Sequence, residues 1–246
     1  MDALKKYIAE FLGTFTLVFI AAGAICADFY LKRNGGQGLG IIGTSIAYGL
    51  AVTSVFYAIS YISGAHINPA ITIAYWITKR VNPNTAIKYI IAQILGASLA
   101  GFTLKILFPE ALYTVYIGTS TLGDNVSLLQ GVVMEAIITF LLAITIFGTA
   151  LDKRAYSSFA GLAIGLVILF GALIGGPISG GIMNPARAFG PALASGQFAH
   201  HYIWWLGPIA GSIAAALLYE TVLAEGKKEK EEVKAVSTKK KQKQFV

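Results

Sequence analysis

The sequence predicts an all-α membrane protein, an inverted repeat of six transmembrane helices plus two re-entrant half-helices. Three observations predict it. The 246 residues are 56% hydrophobic and only 13% charged, where a soluble domain carries about 25% charged residues. The tripeptide Asn-Pro-Ala occurs twice, as Asn68-Pro69-Ala70 and Asn184-Pro185-Ala186, with Ser63-Gly64 and Ser179-Gly180 at the same distance upstream. Finally, segments in the two halves answer one another: Ala9-Glu10-Phe11 matches Met134-Glu135-Ala136, Gly49-Leu50-Ala51 matches Gly161-Leu162-Ala163, and Gly96-Ala97 matches Gly211-Ser212. Such internal similarity marks a duplicated membrane unit.

The elements follow in order. A basic start at Lys5 and Lys6 leads into an apolar segment over about residues 7–27, interrupted only by Glu10. That length crosses about 30 Å of hydrocarbon. Residues 28–40 read as a Gly-rich polar loop, and residues 41–61 as a second span rich in small residues suited to close helix contact. The apolar piece 70–78 is too short to span and is followed at once by Lys79-Arg80-Val81-Asn82-Pro83, so it must enter and leave on one side. Residues 85–107 form the third span, and residues 109–127 a polar loop.

The second half repeats the plan, with spans over about residues 128–150, 157–173 and 202–223, a charged turn at Asp152-Lys153-Arg154, and a second short segment after Asn184. Three spans per half place the halves in opposite orientations. Lys5, Lys6, Lys79, Arg80, Lys88, Lys153, Arg154 and the terminal lysines fall on one side, Lys32 and Arg33 on the other. The positive-inside rule then expects both termini in the cytoplasm of a multi-pass protein of a cell membrane. The channel domain is expected over residues 1–223 (repeats of about 4–108 and 128–223), with residues 224–246 a charged cytoplasmic tail.

Composition also excludes. The net charge of +7 does not indicate a nucleic-acid partner, because eight of the nineteen basic residues are lysines beyond Glu225. The single cysteine, Cys26, rules out an internal disulfide and a cysteine metal cluster, and is expected to pack within the first span. Nothing suggests an enzyme or a cofactor. Tyr113, Tyr116, Tyr202, Trp204 and Trp205, near segment ends, read as interfacial anchors.

Each Asn-Pro-Ala is a helix start: Asn is a preferred N-cap, and Pro suits the first helical position. A single copy would be ordinary capping. Two copies inside apolar chain require irregular backbone at membrane depth, which is tolerated only where it lines a watery cavity or is packed in protein. The carbonyls of Gly64, Ala65, His66, Gly180, Gly181 and Ile182 are expected as a ladder of acceptors, with the Asn68 and Asn184 amides donating at its centre. Two helix N-termini converging there disfavour cations. Arg187 is costly in a membrane and is expected at the outer mouth. Glu10 and Glu135 are expected to accept hydrogen bonds from their re-entrant loops; the competing role is proton coupling in a transporter. His66 is expected as a neutral pore-lining imidazole, with a pH gate as the alternative.

The paired Asn-Pro-Ala, Glu10 and Glu135, and Asn184-Pro185-Ala186-Arg187-Ala188-Phe189-Gly190-Pro191 resemble the aquaporin, or major intrinsic protein, family over about residues 4–223. The resemblance implies one pore per subunit, a homotetramer, and passive conduction of water or small neutral solutes. It places an outer selectivity filter on Tyr48, Ala172, Gly181 and Arg187. Ala172 stands where strict water channels have His, and Gly181 contributes no side chain, so a wider filter is expected. Ala188 stands where glycerol facilitators usually have Asp. Water is therefore the default permeant and glycerol the first alternative; an inverted-repeat transporter and a non-conducting junction protein are the readings from other classes.

Overall fold

The computed structural model describes residues 3–224. Among the described residues eight α-helices run in chain order: α1 (Ala3–Arg33), α2 (Gly40–Ser63), α3 (Pro69–Ile77), α4 (Pro83–Leu107), α5 (Leu128–Ile146), α6 (Ala160–Ser179), α7 (Pro185–Ser195) and α8 (Ile203–Leu218). Among the described residues six helical segments are long and apolar enough to cross a membrane. The short α3 and α7 are the half-helices. The charged tail lies, apart from Ala224, outside the described residues.

Packing follows the repeat. Helix α1 packs on α2 and α4 as α5 packs on α6 and α8, and α2 meets α6 across the middle. The half-helices exchange partners: α3 lies against α8, and α7 against α4. Small residues permit these crossings. A Cβ on Gly96 would collide with the backbone of Phe11, and one on the matching Gly211 with the backbone of Ala136, so these glycines set the closeness of α4 to α1 and of α8 to α5.

The outer faces are apolar. Ile42, Leu50, Leu95, Ile137, Phe170 and Leu206 are exposed, while Glu10, Gln93, Glu135 and Arg187 are buried. This inverts the pattern of a soluble protein and fits a bundle whose solvent is lipid.

Several boundaries differ from the sequence expectation. Helix α1 does not end at residue 27 but runs six residues further, to Arg33. Asp28 is helical, pairs with Lys32 one turn on at 2.8 Å, and accepts the Leu39 and Gly40 N–H groups at 2.6 and 2.8 Å. It thereby ties the end of α1 to the start of α2. Helix α6 begins later and ends later than expected, passing through Pro177 to Ser179. The expected loop 109–127 contains two 3₁₀ turns and buries Ile117. Trp204 is not an interfacial anchor: it is 1% exposed, and its indole N–H donates to the Ser179 carbonyl at 2.8 Å. Cys26 is buried in a cluster with Ala22, Leu104, Ala111 and Ile117.

Candidate functional site

The site is built where α3 and α7 begin. Asn68 and Asn184 have extended backbones and cap their helices, Asn68 Oδ1 accepting from Ala70 N at 2.9 Å and Asn184 Oδ1 from Ala186 N at 3.0 Å. Pro69 and Pro185 occupy the first helical positions, where a missing N–H costs nothing. The amides then reach across. Asn68 Nδ2 donates to the Met183 carbonyl at 2.8 Å, and Asn184 Nδ2 donates to the Ile67 carbonyl at 2.9 Å. Each amide keeps one further N–H, and both asparagines line the same cavity. Met183 and Ile67 were absent from the expected carbonyl ladder.

The carboxylates hold the two loops. Glu10 accepts from Ser63 Oγ at 2.6 Å, His66 N at 2.9 Å, Ile67 N at 2.6 Å and Gln93 Nε2 at 2.8 Å. Glu135 accepts from Ser179 Oγ at 2.7 Å, Ile182 N at 2.9 Å and Met183 N at 2.7 Å. Both oxygens of each buried carboxylate are thus engaged by donors. The loops need that support, because Ala65, Ile67, Met183 and Gly181 all sit at positive φ. Tyr89 Oη donates to the Ser63 carbonyl as Trp204 does to that of Ser179.

Two cavities meet at Tyr48. A narrow one of about 30 Å³ runs beside Asn68, Asn184, His66, Ala65 and Gly64, against an apolar wall that includes Val52, Ile164 and Ile168. It has room for about two waters. A wider vestibule of about 240 Å³ is lined by Asp28, Lys32, Thr44, Ala172, Gly180 and Arg187. Tyr48 lines both, and its hydroxyl donates to the Ile182 carbonyl at 2.7 Å.

Arg187 is 2% exposed, and its Nη1 donates to the Gly118 carbonyl at 2.9 Å. Gly118 comes from the connection between α4 and α5, which carried no signal in the sequence. Of the four expected filter positions, Tyr48, Ala172 and Arg187 share the vestibule wall; Gly181 does not. Its φ is +63°, and a Cβ there would lie 2.6 Å from Ala172 Cα. The missing side chain at Gly181 therefore allows the loop to press against α6, and Ala172 and Gly180 are among the residues that line the vestibule.

Known proteins resemble this chain in sequence and in fold. The family model described as "Major intrinsic protein" matches residues 1–219. The chain is 40% identical to "Aquaporin NIP1-1" of Zea mays over 234 residues, covering 95% of this chain and 80% of that one. It is also 40% identical to "Nodulin-26" of Glycine max, covering 95% and 83%. The fold resembles that of the aquaglyceroporin from Plasmodium falciparum, with a TM-score of 0.80 and 23% identity over 90% of this chain and 97% of that one. With six spans, two half-helices and these relatives, the chain belongs to the major intrinsic protein family of aquaporin channels.

Proposed function

We propose that this channel conducts water passively along the path from the vestibule past Tyr48 to the Asn68–Asn184 pair and His66. Members of the family are passive channels, not enzymes. The observation that carries the reading is the narrow cavity beside two helix N-termini, with acceptors and two spare amide N–H groups on one side and apolar side chains on the other. Water exchanges hydrogen bonds along such a wall. A cation meets two positive helix ends and the buried Arg187.

In this reading Tyr48, Ala172 and Arg187 form the filter, Asn68 and Asn184 the centre, and Glu10 and Glu135 the supports of the loops. Supply of both carboxylates by loop N–H groups at matching places favours support over proton coupling. The channel domain ends near residue 223, the protein assembles as a homotetramer, and both termini face the cytoplasm of a cell membrane. Loop charge supports that orientation.

One observation favours a second reading, conduction of glycerol or mixed small neutral solutes: Ala172 leaves the vestibule wall without a large side chain. Stopped-flow light scattering on proteoliposomes separates the two. Fast shrinkage under an impermeant osmolyte with no extra glycerol entry supports a water channel; fast glycerol entry supports the mixed-solute reading. Shrinkage and glycerol entry both no faster than in empty liposomes refute both readings.

A further inference from the structure

We propose that Thr72 and Gln93 fix His66 in the tautomer with hydrogen on Nδ1, so that bare Nε2 faces the permeation path as an acceptor. The proposal rests on the reading of the narrow cavity as that path. It follows from counting hydrogens around one oxygen.

Thr72 Oγ1 has three neighbours: the Asn68 carbonyl at 2.9 Å, Gln93 Nε2 at 3.0 Å and His66 Nδ1 at 3.2 Å. The Asn68 carbonyl, which also takes the Thr72 N–H at 2.9 Å, can only accept and lies closer to Oγ1 than His66 Nδ1 does, so it takes the one hydroxyl hydrogen. Gln93 presents its nitrogen, not its oxygen, because the same amide group also meets Glu10 Oε2 at 2.8 Å. A carboxylate already receiving Ser63, His66 and Ile67 would repel the amide oxygen. Gln93 is therefore a donor to Thr72. With its hydrogen spent and one lone pair used, Thr72 can only accept from His66, which places the hydrogen on Nδ1. In the neutral ring Nε2 is then an acceptor. It lies on the side of Gly64, where a Cβ would come within 3.4 Å of it, and Gly64 and His66 both line the cavity. Tyr75 holds the ring from another side, with centroids 4.1 Å apart.

The second repeat has no such device. The register that sets Asn68 on Asn184 sets Thr72 on Ala188 and His66 on Ile182, and the register that sets Gly96 on Gly211 sets Gln93 on Pro208. Thr72 and Gln93 are thus positioning residues belonging to one half only. The half of the path beyond the asparagines offers a side-chain acceptor, which a permeant must meet with an O–H or N–H.

The test is ¹⁵N solid-state NMR of histidine-labelled protein in liposomes at neutral pH. The chain has three histidines, and the His66 signals are those lost in His66→Asn. Protonated Nδ1 with bare Nε2 is expected in the wild type and in Thr72→Ser, which keeps the hydroxyl. A mixture of tautomers is expected in Thr72→Val, with water permeability per molecule down about fivefold, the effect of one hydrogen bond. Protonated Nε2 in the wild type, a measurement independent of any variant's folding, overturns the proposal. So does a Thr72→Val protein that keeps the wild-type tautomer. If the wild-type spectrum is as expected but the same liposomes shrink no faster than empty ones, the conduction reading fails while the assigned tautomer stands.

Discussion

Asn68 and Met183 are joined by a 2.8 Å hydrogen bond between the repeats, and Asn184 and Ile67 by its 2.9 Å counterpart. The residues that begin the half-helices are also the ones that bind one half of the protein to the other. Asn68→Ala removes a helix cap and this bridge together. Each is worth about 1 kcal/mol. We expect a loss of about 2 kcal/mol, read as a lower midpoint of thermal unfolding in detergent; an unchanged midpoint contradicts the bridge.

Glu10→Gln and Glu135→Gln each replace an acceptor oxygen by an NH₂ group facing backbone or side-chain donors. Leaving a buried donor unsatisfied costs roughly 1–3 kcal/mol. Both variants should lower the yield of folded protein, measured by size-exclusion chromatography, while surviving molecules keep the wild-type ratio of water to glycerol permeability. A well-folded variant whose flux acquires dependence on a proton gradient would return the carboxylates to a coupling role.

Gly181 and Ala172 separate by their substitutions. Gly181→Ala places a methyl against Ala172 at a φ of +63°, and strain of this kind costs about 1–3 kcal/mol. It should reduce stability without selectively narrowing the path. Ala172→His adds a large polar side chain to the vestibule wall and should reduce any glycerol permeability more than water permeability. Stopped-flow scattering and unfolding midpoints on both proteins check the pair; a selective flux change from Gly181→Ala in a fully stable protein would reassign it to the filter.

Asp152, outside the spans, accepts hydrogen bonds from Arg154 Nε at 2.9 Å and Nη2 at 2.6 Å, from Arg154 N, and from Tyr219 Oη at 2.7 Å. The Arg154 side chain, first of these, holds its carboxyl below the usual carboxylate range. A folded-state value below the unfolded one of about 3.9 stabilises the fold above that pH, and the contribution fades as pH falls through the folded value. The unfolding midpoints of wild type and Asp152→Asn should therefore differ by a constant amount above about pH 5 and converge below about pH 4. A difference that grows on acidification would reverse the sign.

The half-helices were legible because Asn, Pro and the upstream glycines act locally, and local chemistry is written in consecutive residues. The spans were legible from length and apolarity. Glu10 and Glu135 could be paired with loops because each is a carboxylate inside an apolar run, at matching places in two repeats. Other features depend on residues brought together by the fold. The bond from Arg187 to Gly118 uses a backbone carbonyl, which every residue has. The direction of Gly181 depends on how closely α6 approaches. Thr72 and Gln93 did leave a trace, as polar residues in apolar helices without a partner in the other repeat. Asp28 misled because it is the first charged residue after the apolar run and so looks like the start of the loop, while its pairing with Lys32 prolongs the helix.

The exchange of half-helices, α3 lying on α8 and α7 on α4, bears on how the protein is made. While the first half alone is in the bilayer, Asn68 lacks the Met183 carbonyl and the Ile67 carbonyl lacks Asn184. Such polar groups are not left bare in hydrocarbon. During synthesis the first re-entrant segment must therefore stay near water, or be sheltered by the insertion machinery, until the loop carrying Met183 and Asn184 emerges. The path across the membrane closes into shape only when the second repeat is in place.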